Sequence, residues 1–83
     1  MTDKKKVIIK WVDAKFCPGI HSEGDILEHS MSEFESLGYL IGKTELTTII
    51  AAERNNDGEY RDVTLIPTGS IQSIQDLVPS SAM

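Results

Sequence analysis

Short apolar runs rich in β-branched residues recur along this chain between Gly, Pro, Asn and Asp punctuation, which is the signature of strands rather than helices. Residues 7–12 are apolar except at Lys10, and Val7, Ile9 and Trp11 fall on one face. Residues 33–41 run through Phe34 and Leu37 into Gly38, Tyr39, Leu40 and Ile41, and a glycine inside such a pattern predicts a bulge or a sharp bend. After Gly42, Lys43 and Thr44 the alternation resumes, with Leu46, Thr48, Ile50 and Ala52 on one face and Thr47, Ile49 and Ala51 on the other. Asn55, Asn56, Asp57 and Gly58 then make a hairpin turn, because these residues tolerate positive φ. Residues 60–66 return, Pro67 stops the strand, and Ile71 and Ile74 follow almost at once.

Five strands are therefore predicted, at about 7–15, 33–42, 46–54, 60–67 and 70–75. Residues 71–78 also carry a helical period, so the last element is open between strand and helix. Between residues 13 and 32 the alternation fails. Pro18, Gly19 and Gly24 punctuate that stretch, and Ser22 and Asp25 have the spacing of a helix cap before Ile26 and Leu27. One long first connection followed by short joints favours a meander curled into a small barrel, since a βαβ layout needs crossover helices. The fold class is all-β with one short helix: a five-stranded antiparallel, strongly bent small barrel.

At 83 residues the chain holds one domain, and a core this thin gains from association. The expected organisation is a disordered basic arm over 1–6, a single domain over 7–78 and a loose tail over 79–83. A lone cysteine, Cys17, leaves no internal disulfide and no sign of an oxidising compartment. No apolar run is long enough for a signal peptide or a membrane span, so the expected location is the cytoplasm, with no membrane partner.

Charge is unevenly divided. The first fifteen residues carry five lysines against Asp3 and Asp13, a balance of +3, whereas residues 16–83 carry three basic and eleven acidic groups, a balance of −8. Phosphate backbones are held by clustered Lys and Arg, so the acidic body argues against broad nucleic-acid binding.

Catalytic chemistry finds little foothold. Cys17, His21, Asp25 and His29 recur every four residues and all can ligate metal, but Pro18, Gly19 and Gly24 interrupt the helix that would align them. Neither a paired-cysteine motif nor a glycine-rich phosphate loop is present, and nothing local suggests a base and an orienting group set around Cys17 or a serine, since Ser22, Ser30, Ser32 and Ser36 read as loop and cap residues. No catalytic residue, metal site or cofactor is expected, and the chain is not expected to be an enzyme.

The segment Val63-Thr64-Leu65-Ile66-Pro67-Thr68-Gly69-Ser70-Ile71-Gln72-Ser73-Ile74 resembles the second motif of Sm-like proteins. With Trp11 and Asp13 near the start, Leu37-Gly38-Tyr39-Leu40-Ile41, Ile50-Ala51-Ala52-Glu53 and Ile66-Pro67, residues 7–77 are similar to small bacteriophage proteins with an Sm-like or SH3-like barrel. The resemblance implies a homo-oligomeric ring in which the fourth strand of one copy pairs with the fifth strand of the next, with Tyr60, Arg61, Val63, Leu65, Ile71 and Ile74 at the contact. The acidic body, the lack of a catalytic set and the short closing strand point to a non-enzymatic accessory role, in the cytoplasm of a host cell for a phage-encoded chain, with a host or phage protein as partner. RNA-binding Sm proteins carry an Asp-x-Asn element and an Arg-Gly turn, where this chain has Gly42-Lys43-Thr44-Glu45 and Pro67-Thr68-Gly69-Ser70. RNA or nucleotide binding, the alternative, would fall to Lys43, Thr44, Thr68 and Ser70 through the backbone amides of those turns.

Overall fold

The computed structural model describes residues 4–77; the tail expected over 79–83 lies outside them. Five strands form one antiparallel sheet: β1 (Lys6–Asp13), β2 (Ser32–Lys43), β3 (Thr47–Arg54), β4 (Tyr60–Pro67) and β5 (Ile71–Asp76). The order across the sheet is β4-β3-β2-β1-β5. Thus the last strand returns to the first, and residues 71–76 resolve as strand. A five-residue helix, α1 (Glu23–Leu27), lies in the long first connection, capped by Ser22, whose hydroxyl accepts from the Asp25 amide at 3.2 Å. A three-residue 3-10 turn, Thr68–Ser70, joins β4 to β5.

That short joint shows how far the sheet curls. Pro67 pairs with Thr47 beside the end of β2, whereas Ile71 pairs with Trp11, which faces Phe34 near the start of β2. On a flat sheet those sites would stand more than about 30 Å apart along β2 and four strand spacings across it. Four residues reach about 14 Å at most. The sheet must therefore bend within β2 and bring its edges towards each other.

The bend has two causes. At Gly38 the backbone of β3 closes onto β2, so that a Cβ on Gly38 would meet the Ala51 carbonyl oxygen at 2.6 Å. Beyond it, a bulge between Leu40 and Gly42 leaves Ile41 without an opposite partner and adds local twist. Residues N-terminal to Gly38 pair with β1, and those after it pair with β3.

Curling also explains the core, which a single flat layer would leave open to water on both faces. Val7, Ile9 and Ile66 are fully buried, with Ile50 beside them, and Trp11, Leu40, Ile71 and Ile74 pack against this cluster. The basic arm expected over 1–6 is shorter than its charge pattern suggests. Lys6 opens β1, the Lys5 carbonyl accepts from the Leu40 amide at 2.8 Å, and the Lys5 ammonium lies 3.5 Å from Asp76.

The hairpin turn forms where the sequence places it. The Asn55 carboxamide oxygen accepts from the amides of Asp57 and Glu59, and Gly58 takes a φ of 81°. One strand residue breaks pattern: Asp62, inside β4, has a φ of 59°. Aspartate tolerates the left-handed region better than most side chains.

Candidate functional site: open sheet edges and their side chains

β4 and β5 are the two edges of the sheet, and among the described residues no strand pairs with the outer side of either. An edge strand presents unpaired N–H and C=O groups, which attract another strand unless they are blocked. Along β4, Arg61, Val63 and Leu65 alternate onto one face, opposite Glu53, Ala51 and Ile49 of β3. Val63 and Leu65 are exposed, Leu65 at 62 %, and exposed Leu46 lies in the adjoining turn. This gives the free edge an apolar outer flank.

Arg61 is already engaged. Its guanidinium donates to both carboxylate oxygens of Glu53, at 2.8 and 3.0 Å. The hydrogen bond and then the charge of Arg61 hold the Glu53 carboxyl below its usual range, and Glu53 in turn raises Arg61. Tyr60 meets the edge of Tyr39 at 6.0 Å, and the Tyr39 ring also receives Arg54 at 5.1 Å and Lys6 at 5.7 Å. Tyr60 and Arg61 thus brace the far end of β4.

Ile71 and Ile74, expected at a contact between copies, pack instead against the chain's own core. The two are three residues apart, and the register shift between Lys10 and Trp11 sets Ile74 opposite Ile9 and Ile71 opposite Trp11, so both turn to the core. What β5 offers to a second molecule is its backbone edge, together with exposed Gln72, Ser73, Gln75 and Asp76.

The four residues singled out for a nucleotide do converge in part. Thr68 Oγ1 donates to the Thr44 carbonyl at 2.9 Å and lies 2.9 Å from Thr48 Oγ1, so the two turns meet at one end of the sheet. Thr44 Oγ1 accepts from the amides of Leu46 and Thr47, and Ser70 Oγ donates to the Pro67 carbonyl. The Thr68 amide is committed too, donating to the Leu46 carbonyl at 3.0 Å. The hydroxyls therefore hold the turns together, and Lys43 is left as an exposed charge beside them.

In the long connection, His21 Nε2 lies 3.2 Å from the Cys17 carbonyl and 3.0 Å from that of Pro18. The rings of His21 and His29 meet edge to face at 5.3 Å. Among the described residues no group of three or more His, Cys, Asp or Glu is placed to hold a metal ion. Nor, among them, is any helix long and apolar enough to cross a membrane.

Comparison with protein-family models, curated proteins and solved structures finds no match to this chain.

What sequence reasoning missed is the exposure of Phe16, Ile20, Ile26, Leu27 and Met31 in the first connection. The available signal was an excess of large apolar residues where neither helix nor strand periodicity could place them.

Proposed function

We propose that this chain is a non-enzymatic Sm-like accessory protein, of phage origin, that assembles into a ring through antiparallel pairing of β4 in one copy with β5 in the next. The observation that carries the reading is the pair of open edges at opposite ends of the strand order. A contact between unlike edges is heterologous, so repeating it generates a ring wherever the rotation closes. Val63 and Leu65 add apolar area beside the β4 edge, which no covering segment among the described residues protects, and the one charge on that flank, Arg61, is held by Glu53. The phage attribution rests on the resemblance in residues 7–77, and the accessory role on the acidic body, the lack of a catalytic set and the short closing strand. The ring would offer partners an acidic surface, and a host or phage protein with a basic face is the matching chemistry.

Nucleotide binding at Lys43, Thr44, Thr68 and Ser70 draws less support, since the hydroxyls there are spent within the chain. The edge reading is tested by native mass measurement of the wild-type chain and of a Val63→Lys, Leu65→Lys double variant. Both side chains are exposed in the single chain, so the variant should fold, and its melting temperature should fall only by what assembly adds to the wild type. Wild type is expected as a multimer, and the variant as a smaller species whose edges no longer pair. A wild-type chain that stays monomeric at high concentration would remove the proposal.

A further inference from the structure

The least explained part of the molecule is the excursion between β1 and β2, residues 14–31. None of its residues is buried, and α1 has no buried side chain. Yet it carries five large apolar side chains, among them Phe16 at 88 % exposure, Ile20 at 102 % and Leu27 at 78 %. The molecule as a whole is extended. Its radius of gyration is 16.9 Å, against about 12 Å for a compact chain of this length, and its longest extent is 55 Å.

A five-residue helix is far below the length that is stable on its own in water, so packing must hold it. The chain itself supplies little. All five apolar side chains are more than half exposed, and large apolar groups left in water in this number mark a surface that another molecule covers.

The lobe also holds both halves of a contact. On one side lies a shallow cavity of about 390 Å³, lined by Lys15, Cys17, His21, Ile26, His29 and Met31, with Ser30 at its rim. Its walls are apolar and its polar groups are basic or neutral. On the other side is Leu27, which does not line the cavity although its neighbour Ile26 does, and around it on α1 are the carboxylates of Glu23, Asp25 and Glu28. An acidic helix with one protruding leucine matches a basic, apolar cavity. The single chain leaves Leu27 outside the cavity and exposed to water.

We propose that the lobe of one copy packs on the lobe of a second copy about a two-fold axis, with Leu27 of each entering the cavity of the other. Glu23, Asp25 and Glu28 then face Lys15, His21 and His29 across the contact. The two-fold makes the interface close after two copies. It uses no residue of the sheet edges, so it is independent of ring formation and would join two rings, or two single chains, through their lobes.

The test compares wild type with Leu27→Asp, both as full chains, by sedimentation equilibrium and by the rate of maleimide labelling at Cys17. Leu27 is exposed in the single chain, so circular dichroism should be unchanged, and melting should match at concentrations low enough to dissociate the wild type. At high concentration the wild-type mass should be twice that of Leu27→Asp, with the lobe contact weakened at least about tenfold. This holds whether or not the sheet edges pair: without edge pairing, wild type is a dimer and Leu27→Asp a monomer. Cys17 should label several-fold more slowly in wild type than in the variant, since the partner's helix covers the cavity. An unchanged mass would overturn the proposal and assign the lobe to a partner other than this chain. A halved mass with unchanged labelling would overturn it too, by placing the contact away from the cavity.

Discussion

Gly38 sits where two requirements collide, because β2 must pair with β1 on one side of it and with β3 just after it. Its missing side chain is what lets the Ala51 carbonyl close in, at 2.6 Å from where a Cβ would stand. Nothing flexible lies there to move aside, as the nearest atoms are backbone. Gly38→Ala is therefore expected to cost about 2 to 3 kcal/mol, in the range of other overpacking substitutions, read from urea unfolding midpoints. A midpoint unchanged from wild type would mean that the bend does not depend on this approach. The glycine was legible in the sequence as a bend inside a strand. The bulge that leaves Ile41 unpaired was not, since an apolar residue in an apolar run gives no sign of being skipped. Asp62 was equally silent: a charged residue at an alternate strand position reads as solvated surface, and its left-handed backbone leaves no compositional trace.

At the level of elements, the strands themselves could be read because period-two alternation records which face each side chain buries, and every strand lies within a residue or two of its expected bounds. The pairing of β5 with β1 is a different kind of fact. It depends on how tightly the chain turns after Pro67, and that turn is held by contacts 20 and 24 residues away, from Thr68 to Thr48 and Thr44. No local pattern encodes such contacts. Thr68→Val preserves the shape of the side chain but removes its hydrogen bonds, and Thr48 Oγ1 is in a fully buried residue. The substitution should lower stability by about 1 to 2 kcal/mol and raise amide exchange in β5 more than in the β3–β4 hairpin. Equal loosening of both elements would count against Thr68 as the clasp of the final strand. The packing of Ile71 and Ile74 against the chain's own core was hidden for a related reason, since an apolar residue in the sequence shows that a face is covered and not whether the cover is the same chain.

On the scale of the whole molecule, the curled sheet settles the small core, and two surfaces remain without partners among the described residues: the edges of β4 and β5 and the lobe of residues 14–31. The sequence showed the first through a short closing strand that follows Pro67 almost at once, and hid the second within a stretch lacking periodicity. Both lead to association by the same physics, in which unpaired backbone and exposed apolar area are covered by another molecule. The ring is the central proposal, and it makes a demand on particular amides. Hydrogen exchange followed by mass spectrometry, from low to high protein concentration, reads the peptides covering Tyr60–Pro67 and Ile71–Asp76 directly. Pairing of β4 with β5 between copies requires that both segments gain protection together as the assembly forms, while exchange in the β1–β2 pairing stays constant. Assembly without that joint protection, or protection in only one of the two strands, would contradict it.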